Sequence, residues 1–120
     1  MLKIAGLTHH AMGRATDGHT LVPRSLPGEV VEIGADGKPR IVTPSSDRVS
    51  APCRHYKSCG GCAVQHASDA FVAGWKQDIV ATALRAQRLS ASFRPVATSP
   101  IASRRRAKLA GQHTKKGAIV

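Results

Sequence analysis

The stretch Val30–Val42 reads VVEIGADGKPRIV, and its pattern decides the fold class. Two runs rich in β-branched residues, Val30-Val31-Glu32-Ile33 and Ile41-Val42, flank Asp36-Gly37. Both central residues tolerate positive φ, so the spacing predicts a β-hairpin closed by a primed turn. Upstream, Asp17-Gly18 separates an apolar-poor segment from a second short run, Thr20-Leu21-Val22. Pro23, Pro27 and Pro44 limit the strands between them. Residues 1–49 are therefore expected to form a small curled β-barrel of about five short strands, the size and type used by oligonucleotide-binding folds. Arg24 to Glu29 would supply a rim turn.

Downstream of this segment the chemistry changes. Ala51–His66 reads APCRHYKSCGGCAVQH and holds Cys53, Cys59 and Cys62, the only cysteines in 120 residues. Three thiols cannot pair completely, and Met1–His10 has no basic head followed by a long apolar core. A metal centre in a reducing, cytoplasmic setting is the expected use, rather than a disulfide. Gly60 and Gly61 let the backbone wrap closely around a bound object. Arg54 and Lys57 place positive charge between the thiols, which favours thiolates. Two metals fit this spacing. An iron–sulfur cluster wants four thiolates, of which three are present; zinc could take the three and be completed by His66 or, less comfortably, His55.

The net charge of +11 is unevenly spread. Residues 1–50 carry six bases against five acids, whereas residues 51–120 carry twelve against two, and no acid follows Asp78. That asymmetry is the footprint of a phosphate-backbone partner. With two Phe, one Tyr and one Trp, the chain has few large anchors, so a metal would help to hold its second part together. No apolar run is long enough to span a bilayer.

From Ser68 to Leu89 the period becomes helical. Val72, Trp75, Ile79, Ala83 and Ala86 recur at spacings of three or four, Ser68 or Asp69 can cap the start, and Trp75 is expected in a core. This helix is expected to pack on the cysteine loop. Ser90–Pro100 reads as a linker or a short edge strand, with Pro95 and Pro100 preventing helix. Arg104, Arg105, Arg106 and Lys108 follow on an expected strand, Lys115-Lys116-Gly117 as a hairpin turn, and Ala118-Ile119-Val120 as the start of another strand. An end inside a strand suggests a piece of something longer.

The order of these segments carries a resemblance. LPGEVV (Leu26–Val31), TPSSDRV (Thr43–Val49), the C-x5-C-G-G-C motif followed by Gln65-His66, Trp75-Lys76, SRRRAKLAG (Ser103–Gly111) and TKKGAIV together resemble the N-terminal part of the S-adenosylmethionine-dependent RNA (uracil-5-)-methyltransferases. The resemblance covers nearly the whole chain. It implies a β-rich α+β architecture: a TRAM-like RNA-binding barrel over residues 1–49, a cluster-binding loop over 50–67, and over 68–120 a helix plus basic strand segment that starts a central domain. It further implies that Cys53, Cys59 and Cys62 are three of the four ligands of a [4Fe-4S] cluster. Arg104, Arg105, Arg106, Lys108, Lys115 and Lys116 would be contacts to rRNA or tRNA. The whole enzyme would use S-adenosylmethionine and a nucleophilic cysteine to methylate uracil at C5. Neither the cofactor loop nor that nucleophile lies in this sequence, so the chain alone is expected to be inactive, and to be monomeric. It departs from the family in a short segment between Glu32 and Thr43, and in Ser103 where an aromatic residue is common. A different class, a non-enzymatic zinc module that binds nucleic acid, depends on His66.

Overall fold

A computed structural model describes residues 1 to 119; Val120, expected to continue the last strand, lies outside the described residues. The N-terminal part is an antiparallel sheet of five strands, β1 (Leu2–Leu7), β2 (Met12–Ala15), β3 (Leu21–Pro23), β4 (Val30–Ile33) and β5 (Pro39–Thr43). They lie in the order β3-β2-β1-β4-β5. Strand β1 divides its pairing: Ile4 to Leu7 align with β2, and Leu2 and Lys3 with β4. A register shift between Ile4 and Gly6 marks the bend, and a second lies between Val30 and Val31. Such bulges add twist, and they curl the sheet into a half-barrel.

Five strands were expected, but the barrel does not close among the described residues, since β3 and β5 are both edges. The edge strands are poor templates for further pairing. Strand β3 has three residues and ends on Pro23, while β5 opens on Pro39, and proline offers no N–H to a neighbour. Inside the curl, Ile4, Ala15, Val22 and Val31 form the core, with Leu2 and Ile41 packed against them. The alternation of buried and exposed residues along β2 and β3 follows from the two-residue period of a strand.

The hairpin of β4 and β5 stands where Asp36-Gly37 predicted it, with a different turn. Gly37 has φ +72°, whereas Asp36 does not enter the positive region. The Gly37 N–H donates to the Gly34 carbonyl (2.9 Å), and the Gly34 N–H to the Lys38 carbonyl (3.0 Å). This is a turn closed by one left-handed glycine, one of the common longer hairpin loops, and not the primed two-residue turn. The Asp36 carboxylate instead accepts from the Lys38 N–H (3.2 Å), giving the chain an alternative to positive φ at that residue.

Beyond the sheet come a single helical turn, α1 (Tyr56–Cys59), a long helix, α2 (Asp69–Ala86), and a hairpin of β6 (Gln112–Thr114) and β7 (Gly117–Ile119). Ser68 caps α2, its hydroxyl accepting from the Phe71 N–H (3.2 Å). The helix stops three residues before the expected Leu89. Arg88 takes φ +58°, the Arg88 N–H donates to the Arg85 carbonyl, and the Leu89 N–H reaches the Leu84 carbonyl. These are the two bonds of a Schellman ending, made here without glycine.

Two further expectations are corrected. No residue of α2 is fully buried. Trp75, expected in a core, is half-buried, and with Phe71 and Ile79 it faces β1 across a groove instead of packing on the cysteine loop. The segment Ser103–Lys108 carries no strand, and Arg104, Arg105, Arg106 and Lys108 are exposed. A strand needs a partner, and among the described residues none lies beside this run. The β6–β7 turn does place Lys115 and Lys116 at its tip, as expected.

Candidate metal centre

The cysteine loop is built on a buried ion pair that the sequence gives no sign of. Glu29 ends the Leu26-Pro27-Gly28-Glu29 turn with its side chain fully buried, and the Arg48 guanidinium grips it from the second segment. Arg48 Nε donates to Glu29 Oε1 (2.5 Å) and Arg48 Nη2 to Oε2 (2.8 Å), a two-pronged contact. The Leu26 and Ser45 N–H groups donate to the same carboxylate (2.8 and 3.1 Å). Burial works to raise the Glu29 pKa, but Arg48 and these N–H groups outweigh it and hold the carboxyl below its ordinary value. LPGEVV and TPSSDRV are thus two halves of one joint.

The joint carries the loop. Arg48 Nη2 also donates to the Arg24 carbonyl (2.8 Å), and Arg24, held at φ +57°, sends its own guanidinium to the Lys57 carbonyl (3.2 Å). Next to Arg48, the Val49 N–H donates to the His66 carbonyl (2.9 Å), and the Ser68 N–H to the Asp47 carbonyl (2.8 Å). Across the neck, the Cys53 N–H donates to the side-chain oxygen of Gln65 (3.1 Å). Residues 53 to 65 therefore leave and return at one point.

Tyr56 and His66 fill the inside of the loop. The Tyr56 hydroxyl donates to the Ala63 carbonyl (2.8 Å) and lies 2.6 Å from His66 Nδ1. One hydroxyl carries one proton, so the Ala63 carbonyl and His66 Nδ1 share it, and the direction of the Tyr56–His66 bond depends on the His66 tautomer. His66 Nε2 is 3.4 Å from the Ser25 carbonyl. His66 is 3% exposed and its imidazole is held below its ordinary pKa, chiefly by burial. Both ring nitrogens turn inward, so His66 is occupied as the plug of the loop and is not free to complete a zinc site. His55 is exposed and accepts from Arg54 Nε (3.2 Å).

What the loop turns outward is sulfur. Cys53 and Cys59 are exposed, Cys62 is half-buried, and all three are free thiols. Gly60, at φ +71°, ends α1 and reverses the chain between Cys59 and Cys62. At Gly61 the position of an absent Cβ is 3.4 Å from Cys59 Sγ and 3.9 Å from Arg104 Nη1, so the arginine run reaches this turn. Among the described residues no three His, Cys, Asp or Glu side chains are gathered tightly enough to hold a metal. The donor set nonetheless suits a thiolate-bound cluster in kind: soft, unpaired, solvent-facing sulfurs on one tied loop, with Arg54, Lys57 and Arg104 near to offset negative charge. It supplies three ligands of four. The structure places Arg105, Arg106 and Lys108 on the same exposed arm, and Lys115 and Lys116 on the separate β6–β7 turn.

No protein-family model matches the sequence. An uncharacterized RNA methyltransferase of Caulobacter vibrioides is 39% identical over 117 residues, which are 93% of this chain and 28% of that protein. An uncharacterized RNA methyltransferase of Brucella suis is 35% identical over 87% of this chain and 26% of its own length. The 23S rRNA (uracil(1939)-C(5))-methyltransferase RlmD of Marinomonas sp. is 33% identical over 98% of this chain and 29% of its own.

The chain is thus homologous to RNA methyltransferases along most of its own length. It spans between a quarter and a third of the length of the curated relatives it matches. Among the described residues, no helix is long and apolar enough to cross a membrane.

Proposed function

We propose that this chain is the RNA-binding and [4Fe-4S]-binding segment of a methyltransferase acting at uracil C5 of rRNA or tRNA. The observation that carries the proposal is the tied cysteine loop, with Arg104 at its turn, in a chain related to RNA methyltransferases along most of its length. On this reading Cys53, Cys59 and Cys62 hold the cluster, whose fourth thiolate comes from outside this sequence. The cluster's contribution is structural, since methyl transfer takes no net electrons from the protein. The half-barrel of β1 to β5 is a TRAM-like RNA-binding unit. The exposed bases Arg104, Arg105, Arg106 and Lys108, with Lys115 and Lys116, contact phosphates. Methyl transfer from S-adenosylmethionine belongs to a protein of the relatives' length, and this chain contributes grip and alignment to it.

The test is RNA affinity as a function of salt. Replacing Arg104, Arg105 and Arg106 with alanine should weaken binding to every RNA alike and reduce the slope of log affinity against log salt by about two, since each phosphate contact releases a counterion. Unchanged affinity and slope would assign the run to structure instead.

A further inference from the structure

Arg104 reaches the cysteine turn from a segment distant in sequence. Its Nη1 lies 3.9 Å, and Cys59 Sγ 3.4 Å, from one point, the place where a side chain at Gly61 would begin. Glycine at that position leaves the space to the sulfur and the guanidinium. No atom of Arg105 or Arg106 comes within 4 Å of the same point, so the approach belongs to one arginine of the run. The backbone just ahead of it is shaped for this. Ala102 takes φ +57° and the Ser103 hydroxyl donates to the Pro100 carbonyl (2.7 Å), so a short turn bends the chain immediately before Arg104. Arg104 meets no carboxylate there: every ion pair among the described residues lies within residues 17–48, and no acid follows Asp78. Within the loop itself, Arg54 spends its Nε on His55 Nε2 (3.2 Å).

We propose that Arg104 is a positioning residue of the metal centre, which compensates the charge of the Cys59 and Cys62 thiolates and so retains the cluster and raises its reduction potential. This deepens the cluster reading and rests on it. Residues outside the ligand set orient metal ligands and tune the metal, and the potential of a cluster responds to charge and to hydrogen bonds at its sulfurs. A thiolate-bound cluster carries net negative charge that grows on reduction, so a cation held beside it favours the reduced form. Arginine suits the place better than lysine would. Its planar fork offers five N–H donors, so Nη1 serves the sulfur side while the others stay open to the phosphate contact assigned to this residue.

The full chain, Arg104→Ala, Arg104→Lys and Arg105→Ala are each loaded anaerobically with ferrous iron and sulfide, with a small thiol in excess to take the fourth iron. Salt is kept low, because Arg104 is exposed and its charge is screened. Loss of iron to a chelator is followed by the brown absorbance, and the reduction potential of each protein is measured. Arg104→Ala should lose iron about tenfold faster, within the range that removing a partner of a metal ligand costs, and its potential should fall. Arg104→Lys keeps the charge and should restore the potential. Arg105→Ala should match the unaltered chain in both readouts. Equal circular dichroism of the metal-free proteins excludes a loss of fold. If Arg104→Ala and Arg105→Ala behave alike in both readouts, the proposal is overturned and the cluster reading stands. If the unaltered chain takes up no iron and sulfide, both fall.

Discussion

Glu29, Arg48 and His66 do in this chain what larger aromatic anchors do elsewhere. Removing Arg48 strands a fully buried carboxylate, so Arg48→Ala should cost about 3 kcal/mol, read as a fall in the denaturation midpoint. A change below 0.5 kcal/mol would mean the joint does not hold the fold. The same residues set an acid limit. Burial holds the folded-state pKa of His66 below its ordinary 6.5, so the unfolded chain binds that proton more readily. Stability from His66 is therefore complete above about pH 6.5 and is lost as pH falls through the folded value. Glu29 is also lowered, against the pull of its burial, so its contribution is complete above its ordinary 4.5 and is lost as pH falls further. Melting temperature against pH should decline in two stages, and His66→Gln should abolish the upper one. A flat profile from pH 7 to pH 4 would contradict the His66 assignment, and one that stayed flat down to pH 2 would contradict both. The pairing was not legible in the sequence: Glu29 and Arg48 are nineteen residues apart, in LPGEVV and TPSSDRV, two segments that stood out only as motifs of a resemblance. His66 was visible only as a candidate zinc ligand, because spacing from Cys62 cannot say which way a ring faces.

At the scale of elements, legibility tracks how local the cause is. The hairpin position follows from Asp36-Gly37 and the start of α2 from Ser68, both local signals, and both stand where expected. The turn type and the end of α2 did not follow. The first depends on how Asp36 spends its side-chain hydrogen bond, and the second on Arg88 taking a conformation usually left to glycine. The single turn α1 was unforeseen because four residues carry no period. Its Tyr56 nevertheless ties the loop together, touching the Ala63 carbonyl and His66. Tyr56→Phe leaves the ring in place and removes the hydroxyl, so it should cost about 2 kcal/mol by leaving a buried carbonyl and imidazole short of a partner. A thermal melt matching that of the unaltered chain would show that the loop is held only at its neck.

Across the whole molecule, the sheet, the cysteine loop and the basic arm are linked in series. Arg48 joins the Glu29 turn to Arg24, Arg24 joins the sheet to the loop at Lys57, and Arg104 reaches the turn between Cys59 and Cys62. The strand expected over Ser103–Lys108 failed to appear because alternation supplies faces but not a neighbouring strand. The charge asymmetry was legible from composition, whereas the approach of Arg104 to the cysteines was not, forty-five residues separating it from Cys59. The central claim is that these three thiols hold an iron–sulfur cluster. Its most direct test is the metal and acid-labile sulfide content of the anaerobically purified chain, read with its visible spectrum. Iron and sulfide in similar amounts, with a brown colour that fades in air for want of the fourth thiolate, is the predicted result. Zinc without sulfide, or no bound metal, would contradict it.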